Sequence, residues 1–377
     1  MIAYRPLLAV VSAALLAAVA GCAPARPPAP PPEPTIDASR SPTPVATWRG
    51  PYASGPVAAP ARGAYLGAWI KPARLHQPGR LAAVHGYEAA LGRRLDIAHT
   101  YRKFEEDFGT TSDRAFGHGG RTVMVSWASG DTRSIVAGHH DVLIRAQAQR
   151  VRAVRRPVLL RFRWEMDRPN LRATMWSAAD FIDAWRHVRR LFAEEGVRNA
   201  SWVWCPTAEG FARGEAPDFY PGDADVDWVC VDVYAGTRFQ PLGDLLAPFL
   251  SWAAARPKPI IVGEFGVARA WGPARRADWL RDAARVFKAN PQIKAVCYFE
   301  SDPDGNPPHQ QFRLAHDRAA FEAFRELTRD PYFNPRGAAR SGPPAPTPGP
   351  RGPGPGADPA AAPRRSAAPP GEGGPGE

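Results

Sequence analysis

Cysteine is scarce in this chain of 377 residues, which contains only Cys22, Cys205, Cys230 and Cys297. No two of them have the close spacing of zinc ligands, and no carboxylates stand at ligand spacing, so we expect neither a metal nor a cofactor. The last three cysteines lie inside apolar runs. We expect them to be buried free thiols, with a disulfide between Cys205 and Cys230 as the alternative.

A membrane-spanning length of apolar sequence is also missing. The apolar run from Leu7 to Ala20 is too short to span a bilayer comfortably, and with one arginine before it the run has the layout of a secretory signal. A buried core helix is the alternative. Val19-Ala20-Gly21-Cys22 resembles the lipobox of bacterial lipoproteins, in which the cysteine is lipidated. We therefore predict a signal peptide over 1–22 and an extracytoplasmic protein whose only membrane contact is a lipid on Cys22, in the cell membrane of a bacterium.

Apolar periodicity is absent from both ends of the chain. Residues 23–60 are rich in proline and alanine, and residues 336–377 are rich in proline, glycine and alanine. Such segments cannot build a core, so we expect extended or disordered tethers. The folded part is then 61–335, a size that suits one large domain.

The formal net charge is +11. Residues 1–60 and 336–377 hold nine arginines against five carboxylates, which leaves +7 on the domain. Many of its arginines fall in the helix-like stretches 145–156 and 186–190, at spacings typical of solvated faces. Nucleic-acid binding requires a concentrated basic patch, so we expect no nucleic-acid partner and a monomeric protein.

The domain repeats one pattern, in which short apolar strands alternate with helical stretches. The clearest helices are predicted over 178–196, with Ser177 as N-cap and Gly196 as C-cap, 241–255 and 275–290. The eight predicted strands cover residues 64–70, 95–101, 122–128, 157–164, 201–207, 226–234, 259–266 and 293–300. This alternation indicates a parallel sheet buried on both faces, and eight strands in about 275 residues predict an α/β fold, a single (β/α)8 barrel. An open doubly wound sheet is the alternative, but its G-x-G-x-x-G phosphate loop is missing after the first strand.

Chemistry in such a barrel occurs at the carboxyl ends of the strands. The predicted strand ends carry the reactive side chains Glu165, Asp232, Tyr234, Glu264, Tyr298 and Glu300. Strict alternation along a strand places Arg161 and Arg163 on the side of Glu165, Ile260 and Val262 on the side of Glu264, and Cys230 and Asp232 on the side of Tyr234. An interior Arg161 requires an inward carboxylate, either Glu264 or Asp232.

Two glutamates at one barrel mouth suggest glycoside hydrolysis, in which one carboxyl protonates the leaving oxygen and the other attacks or activates water. A cationic neighbour would keep Glu264 ionised as the nucleophile, whereas flanking Trp164 and Met166 favour a neutral Glu165 as the acid. The alternative is a structural ion pair inside the barrel.

Tryptophans at or near the strand ends could supply flat rings for the apolar faces of sugars. Those predicted to contact a glycan are Trp69, Trp127, Trp204 and Trp271. Tryptophan is also common in protein cores, which is the alternative for each. His140 could contact sugar from the loop after the third strand, although adjacent histidines such as His139 and His140 are equally often only exposed.

Residues 64–330 resemble glycoside hydrolase family 26, a family of retaining (β/α)8 enzymes best known as β-mannanases. The matching segments are YLGAW, GRRLDIAHTY, the run from GHHD to PVLLRFRWEMD, YPGDADVDWVCVDVY and PIIVGEFG, in family order. The resemblance implies that Glu165 is the general acid/base and Glu264 the nucleophile. It further implies that Tyr234 contacts the nucleophile and that Arg161 is the arginine four residues before the acid/base. We expect Arg161, Trp164, Asp232, Tyr234 and Tyr298 to contribute to substrate binding.

The sequence departs from the family pattern beside the acid/base. Family mannanases usually have histidine where this chain has Trp164, and they often continue with Asn-Gly where this chain has Asp167-Arg168. β-1,4-Mannan is the substrate that the resemblance implies, with β-1,3-xylan and mixed-linkage β-glucan as alternatives.

Two other functions remain open at this stage. One is a glycan-binding lipoprotein that kept the barrel and lost turnover, which Trp164 favours and the two glutamates oppose. The other is a solute-binding lipoprotein of a transporter, which needs two α/β lobes instead of one series of eight strands.

Overall fold

The computed structural model describes residues 35–36, 44, 48 and 50–336. The predicted signal peptide and the lipidation site Cys22 lie outside these residues, as do most of the two predicted tethers. Among the helices that are described, none combines the length and apolar character needed to cross a membrane.

Eight parallel strands close into one barrel in chain order, β1 to β8, and β1 pairs with β8. Their bounds are Tyr65–Ile70, Ile97–Arg102, Thr122–Trp127, Val158–Phe162, Ala200–Trp204, Trp228–Ala235, Ile260–Val267 and Ile293–Glu300. The predicted (β/α)8 fold is confirmed. A closed barrel also excludes the two-lobed architecture of a solute-binding protein.

Ten α-helices, α1 to α10, surround the barrel in the described part of the chain. Their bounds are Gln77–Leu91, Thr111–His118, Thr132–Val136, Asp141–Val154, Arg172–Met175, Ala178–Glu194, Ala208–Ala212, Leu242–Ala253, Gly272–Ala289 and Arg318–Arg329. Short 3-10 turns cover Pro169–Leu171, Ala216–Phe219, Arg269–Trp271, Pro308–Gln310 and Pro331–Phe333. Ser177 caps α6 by accepting a hydrogen bond from the Asp180 amide, as predicted, and α6 ends two residues before Gly196.

The apolar core has two layers, divided by the barrel wall. The outer layer lies between the strands and the helices and holds most of the large aromatic side chains. The inner layer fills the barrel with side chains such as Ile97, Met124, Leu159 and Trp228. Burial of both faces explains why the strands read as continuous apolar runs in the sequence.

The N-terminal segment before β1 closes the bottom of the barrel. Val57 is buried in the inner layer, and its amide donates to Ser201 Oγ at 2.9 Å. Trp228 Nε1 donates to the carbonyls of Ser54 and Val57 at 3.0 and 3.1 Å. The last part of the predicted tether, 23–60, is therefore folded against the barrel. Val57 fills apolar space inside the barrel, and the backbone of this segment makes hydrogen bonds with Ser201 Oγ and Trp228 Nε1.

Cys205 and Cys230 form a disulfide, which corrects the expectation that both are free thiols. Cys205 directly follows β5, Cys230 lies in the neighbouring β6, and both point into the barrel, with Cα atoms 4.3 Å apart. Spacing along the sequence, 25 residues apart, could not show this proximity. Cys297 is free and buried, as expected, and burial raises the pKa of its thiol.

The barrel plug gives a prediction about stability. Val57→Ala should lower the free energy of unfolding by about 1–3 kcal/mol, because it removes buried methyl groups where only 4% of the residue is exposed. Urea denaturation measures the change. The matched control is Val142→Ala on α4, where the residue is 86% exposed and the expected change is within about 0.5 kcal/mol. Equal effects of the two substitutions would contradict the plug.

Candidate active site

A cavity of about 970 Å3 opens at the carboxyl ends of the strands. Its floor carries Glu165 and Glu264, and aromatic rings surround them. The aromatic lining residues are Trp69, Tyr101, Trp164, Tyr234, Phe299 and Phe312. The two glutamates that the sequence singled out therefore face one cavity, together with Trp69, Trp164 and Tyr234.

Arg161 lies just below the cavity floor and is fully buried. Its Nη1 donates to both carboxylate oxygens of Asp232 at 2.7 Å, and its Nη2 donates to Glu264 Oε1. Its Nε donates to Ser126 Oγ at 2.6 Å. Arg161 and Asp232 were expected to contact substrate, but both are sealed beneath the cavity, where one guanidinium serves two carboxylates.

Glu264 reaches the cavity because of an irregularity in β7. In the pairing of β6 with β7, Val231 lies opposite Val262 and Asp232 lies opposite Glu264, so Gly263 is an extra residue. This β-bulge reverses the alternation of side chains after Val262. Ile260 and Val262 consequently point to the outer core, which corrects the expectation that they share the side of Glu264.

The bulge requires glycine at position 263. A Cβ atom there would lie 2.5 Å from Cys230 Sγ, 2.9 Å from Asp232 Oδ1 and 3.0 Å from Cys205 Sγ. Such distances are well inside van der Waals contact, and the disulfide has little freedom to move. A side chain at this position would displace the strand that carries Glu264.

Three donors hold the carboxylate of Glu264. Oε1 accepts hydrogen bonds from Arg161 and the Tyr101 hydroxyl, and Oε2 accepts one from the Tyr234 hydroxyl. Burial alone raises the pKa of such a group, but the Arg161 guanidinium, His99 and these hydrogen bonds outweigh burial and lower the pKa of Glu264 to about 2. Glu264 is therefore ionised at neutral pH.

Glu165 stands on a loop whose backbone departs from the strand. Strand β4 ends at Phe162, and Arg163 and Glu165 have positive φ values of 41° and 55°. The Glu165 amide donates to the Cys205 carbonyl at 2.7 Å, which fixes this turn to the end of β5. Because the alternation stops at Phe162, Trp164 faces the cavity and Arg163 does not, which corrects the expected placement of Arg163.

Asp167 fastens the same loop to its neighbour. It accepts hydrogen bonds from the amide and the hydroxyl of Thr207, at 3.0 and 2.5 Å. The position at which this chain departs from the family's asparagine thus has a structural task, since it holds the Glu165 loop against the β5 loop.

Burial raises the pKa of Glu165 to about 7, against the opposing effects of Arg168 and Arg161 and with the help of Glu264. Arg168 Nη2 donates to Glu165 Oε1 at 2.6 Å. The two glutamates therefore differ in protonation near neutral pH, as the sequence predicted. The sequence indicated Trp164 and Met166 as the apolar surroundings of Glu165, whereas the whole cavity floor buries this side chain. Such a pair can act as an acid and a nucleophile.

Carboxylate oxygens of Glu165, Asp232 and Glu264 all lie within 4.8 Å of one another. Three carboxylates at this distance could in principle hold a cation. Arg161 already lies between Asp232 and Glu264 and donates to both, so the positive charge that these two groups need is supplied by the protein itself.

Sequence reasoning missed several residues of the site. His99 and Tyr101 face the barrel from β2, with Tyr101 packed edge-on against Trp69 and Trp164 at centroid distances of 4.9 and 5.0 Å. His99 Nε2 lies 2.6 Å from Ser126 Oγ, and burial lowers its pKa well below the ordinary value. Strand alternation in IAHTYR would have indicated both residues, because they share the side of Ile97.

Several predicted contacts with sugar lie away from the cavity. Trp127 and Trp204 are fully buried in the outer core, where Trp127 stacks on Phe104 and Trp204 packs against Trp252. Their positions alternate with the inward residues of β3 and β5, so the strands direct them towards the helices. Both predictions are corrected.

Three other residues that were predicted to contact sugar also have structural roles. Trp271 donates from Nε1 to the Gly236 carbonyl at 2.8 Å, and the Tyr298 hydroxyl donates to the Phe312 carbonyl at 2.7 Å. His140 packs against Phe104 and lies 3.1 Å from Ser134 Oγ. Trp271, Tyr298 and His140 therefore support the loops around the cavity without lining it.

A family model and several curated proteins match parts of this chain. Residues 120–250 match the model of "Glycosyl hydrolase family 26", a range that includes Glu165 and Tyr234 and ends before Glu264. The chain is 26% identical to Endoglucanase H of Acetivibrio thermocellus over 300 residues, 72% of this chain and 31% of that protein. It is 28% identical over 145 residues to the β-1,3-xylanase TXYA of a Vibrio species, 36% of this chain and 29% of that protein. The chain thus spans about a third of the curated relatives it matches.

Solved structures show the same fold at low sequence identity. The catalytic domain of an endo-β-1,4-mannanase from Bacillus sp. JAMB-750 has a TM-score of 0.56 and 17% identity, covering 72% of this chain and 87% of that one. A modular endo-β-1,4-mannanase from Cellulomonas fimi has a TM-score of 0.54 and 17% identity, covering 75% and 76%. These likenesses concern the barrel alone.

The bulge that presents Glu264 can be tested by a matched pair of glycine substitutions. Gly263→Ala should lower the free energy of unfolding by about 1–3 kcal/mol, because the added methyl group overlaps the disulfide. Gly86→Ala on α1 has nothing within 4 Å of the added Cβ and should raise it by about 0.5–1 kcal/mol. Chemical denaturation measures both. A Gly263→Ala protein as stable as the parent would show that the bulge does not require glycine.

Proposed function

From the premise that this chain carries a glycoside hydrolase domain of family 26, we propose that it hydrolyses β-linked polysaccharide with retention of configuration. The observation that carries the proposal is the pair on the cavity floor, with carboxylate oxygens of Glu165 and Glu264 within 4.8 Å. Retaining enzymes have carboxyl groups about 5–5.5 Å apart, whereas inverting enzymes leave about 6.5–9.5 Å for a water molecule. One oxygen of each glutamate lies within 4.8 Å of the other, which supports direct attack by one carboxylate.

In the first step Glu264 is the nucleophile. Its carboxylate oxygen forms a bond to the anomeric carbon as the glycosidic C–O bond breaks, and Glu165 gives its proton to the leaving oxygen. Glu264 is suited to attack because it is ionised, and Arg161, Tyr101 and Tyr234 fix its orientation. Glu165 is suited to donate because a pKa of about 7 leaves it substantially protonated near neutral pH.

In the second step the roles of Glu165 reverse. Its carboxylate takes a proton from water, the water oxygen bonds to the anomeric carbon, and the ester bond to Glu264 breaks. Two inversions give net retention. No cofactor or metal is needed for this sequence, since the proton and the nucleophile both come from the two glutamates.

For the substrate we propose β-1,4-mannan, on the strength of the family resemblance. A mixed-linkage or other β-glucan is the second candidate. The reason is the match to Endoglucanase H, which covers 72% of this chain. The aromatic rings of Trp69, Trp164 and Phe299 give the cavity flat apolar surfaces that suit either sugar. A reducing-sugar assay on β-1,4-mannan, mixed-linkage β-glucan and β-1,3-xylan distinguishes them, and release of sugar from none of the three would contradict these substrates.

The roles of the two glutamates predict different behaviour for two variants. Glu264→Ala should abolish turnover of every substrate, because no covalent intermediate can form. Glu165→Ala should slow polysaccharide cleavage by about 10²–10⁴-fold, and should slow the first step less for an aryl glycoside whose phenol leaves without protonation. Added azide should rescue Glu165→Ala and give a glycosyl azide of retained configuration, identified by NMR.

The control for this pair is Glu105→Ala, an exposed glutamate outside the cavity lining, which should leave turnover unchanged. An azide product of inverted configuration from Glu165→Ala would reverse the assignment. Full activity of either active-site variant on a glycan that the parent cleaves would remove that glutamate from the mechanism.

We also propose that a lipid on Cys22 anchors the protein outside the cytoplasm, on the strength of the Val-Ala-Gly-Cys sequence. Cys22→Ser should shift the protein from the membrane fraction to the soluble fraction, because the lipid is the proposed attachment. Fractionation of cells expressing the parent and the variant, followed by immunoblotting, measures the shift. A variant that stays with the membranes contradicts the anchor.

A further inference from the structure

Among the cations that line the cavity, Arg168 is the one that contacts Glu165, the proposed proton donor. It follows Glu165 by three residues, donates to Glu165 Oε1 at 2.6 Å, and keeps 46% of its side chain exposed. It also lines the cavity. Within the described residues, Glu165 is its one ion-pair partner.

The two arginines that donate hydrogen bonds to the catalytic pair have different charge environments. Arg161 is buried between Asp232 and Glu264, so it keeps an anionic partner whatever the state of Glu165. Arg168 has no such second partner. When Glu165 carries the proton that catalysis requires, Arg168 faces the cavity without a carboxylate in contact.

This arrangement makes proton donation by Glu165 less favourable with a neutral glycan than with an acidic one. The Arg168 guanidinium lowers the pKa of Glu165 in opposition to burial, and so favours the form of Glu165 that cannot donate a proton. An anionic group on the substrate would relieve the conflict, because it could accept the hydrogen bonds of Arg168 in place of Glu165. Guanidinium and carboxylate groups pair well because two parallel N–H donors match two oxygens.

The position of Arg168 also indicates which part of a substrate it meets. Glu165 donates its proton to the leaving oxygen, so a cation bound to Glu165 lies on the leaving-group side of the cleaved bond. Trp164 offers a flat ring in the same cavity lining. Elsewhere the lining carries both signs of charge, with Lys71, Arg213 and Arg238 but also Glu209 and Asp244.

We propose that Arg168 makes the cavity selective for a glycan that carries a carboxylate, as in a uronic acid, on the leaving-group side of the cleaved bond. The inference rests on the proposed hydrolysis, since that assigns the leaving-group side. The substrate carboxylate displaces Glu165 from Arg168, and Glu165 is then free to hold its proton towards the glycosidic oxygen. Arg168 acts as a specificity-determining residue.

Binding of matched disaccharides tests the proposal without requiring turnover. The probes are β-1,4-dimannuronate against β-1,4-mannobiose, and glucosyl-β-1,4-glucuronic acid against cellobiose, measured by calorimetry with the full chain at low ionic strength. In at least one pair the acidic sugar should bind about tenfold more tightly than the neutral one, and Arg168→Gln should remove that preference. The control Arg198→Gln, an exposed arginine outside the cavity lining, should retain it.

Equal binding of acidic and neutral sugars in both pairs overturns the proposal, as does a preference that survives in Arg168→Gln. An Arg168→Gln protein that shifts only the pH dependence of hydrolysis, with no acidic preference in the parent, would make Arg168 a positioning residue for Glu165 and would equally overturn selectivity. Circular dichroism of each variant checks that the barrel is folded. Failure of the hydrolase proposal appears separately, as no cleavage of any β-glycan.

Discussion

The arrangement of this site depends on one buried guanidinium. Arg161 lies inside the barrel, donates to Asp232 and Glu264, and approaches Tyr101 and His99. A charge in this position is costly unless it is paired and hydrogen-bonded, and both carboxylates would be costly without it. The pairing therefore keeps Glu264 ionised in an interior where burial otherwise favours the neutral form, while burial raises the pKa of Asp232 well above its ordinary value despite the same guanidinium. Glu165, which does not contact Arg161 directly, keeps the raised pKa that burial causes.

The fold could be predicted from the sequence almost completely, because two-sided burial makes each barrel strand a continuous apolar run and helices separate the runs. The catalytic candidates followed from the same logic, since parallel strands bring Glu165 and Glu264 to one end. The assignment of faces was less successful. Alternation is reliable only along a regular strand, and β7 contains an extra residue at Gly263 while the chain turns to positive φ at Arg163 and Glu165. Neither irregularity has a signal in the apolar pattern.

The tryptophans illustrate a different limit. Trp127 and Trp204 stand at the ends of β3 and β5, as a sugar-binding residue would, but their side chains alternate with the inward Ser126 and Cys205 and enter the outer core. The place of a residue along a strand does not decide which way its side chain points. The direction depends on whether the residue takes an inward or an outward position in the alternation. The residues that complete the site, His99 and Tyr101, have the inward parity on β2. Arg168, in the loop after β4, contacts Glu165 through a turn that only the three-dimensional structure reveals.

The central claim is that Arg161 and burial divide the two glutamates into an ionised and a protonated group. Titration of the glutamate carboxyl carbons by ¹³C NMR measures this directly, with Glu165→Gln and Glu264→Gln used to assign the two signals. The account predicts that the Glu165 signal titrates near pH 7 and that the Glu264 signal stays ionised down to about pH 2. Two signals that both titrate near 4.5, the ordinary value for glutamate, would contradict it.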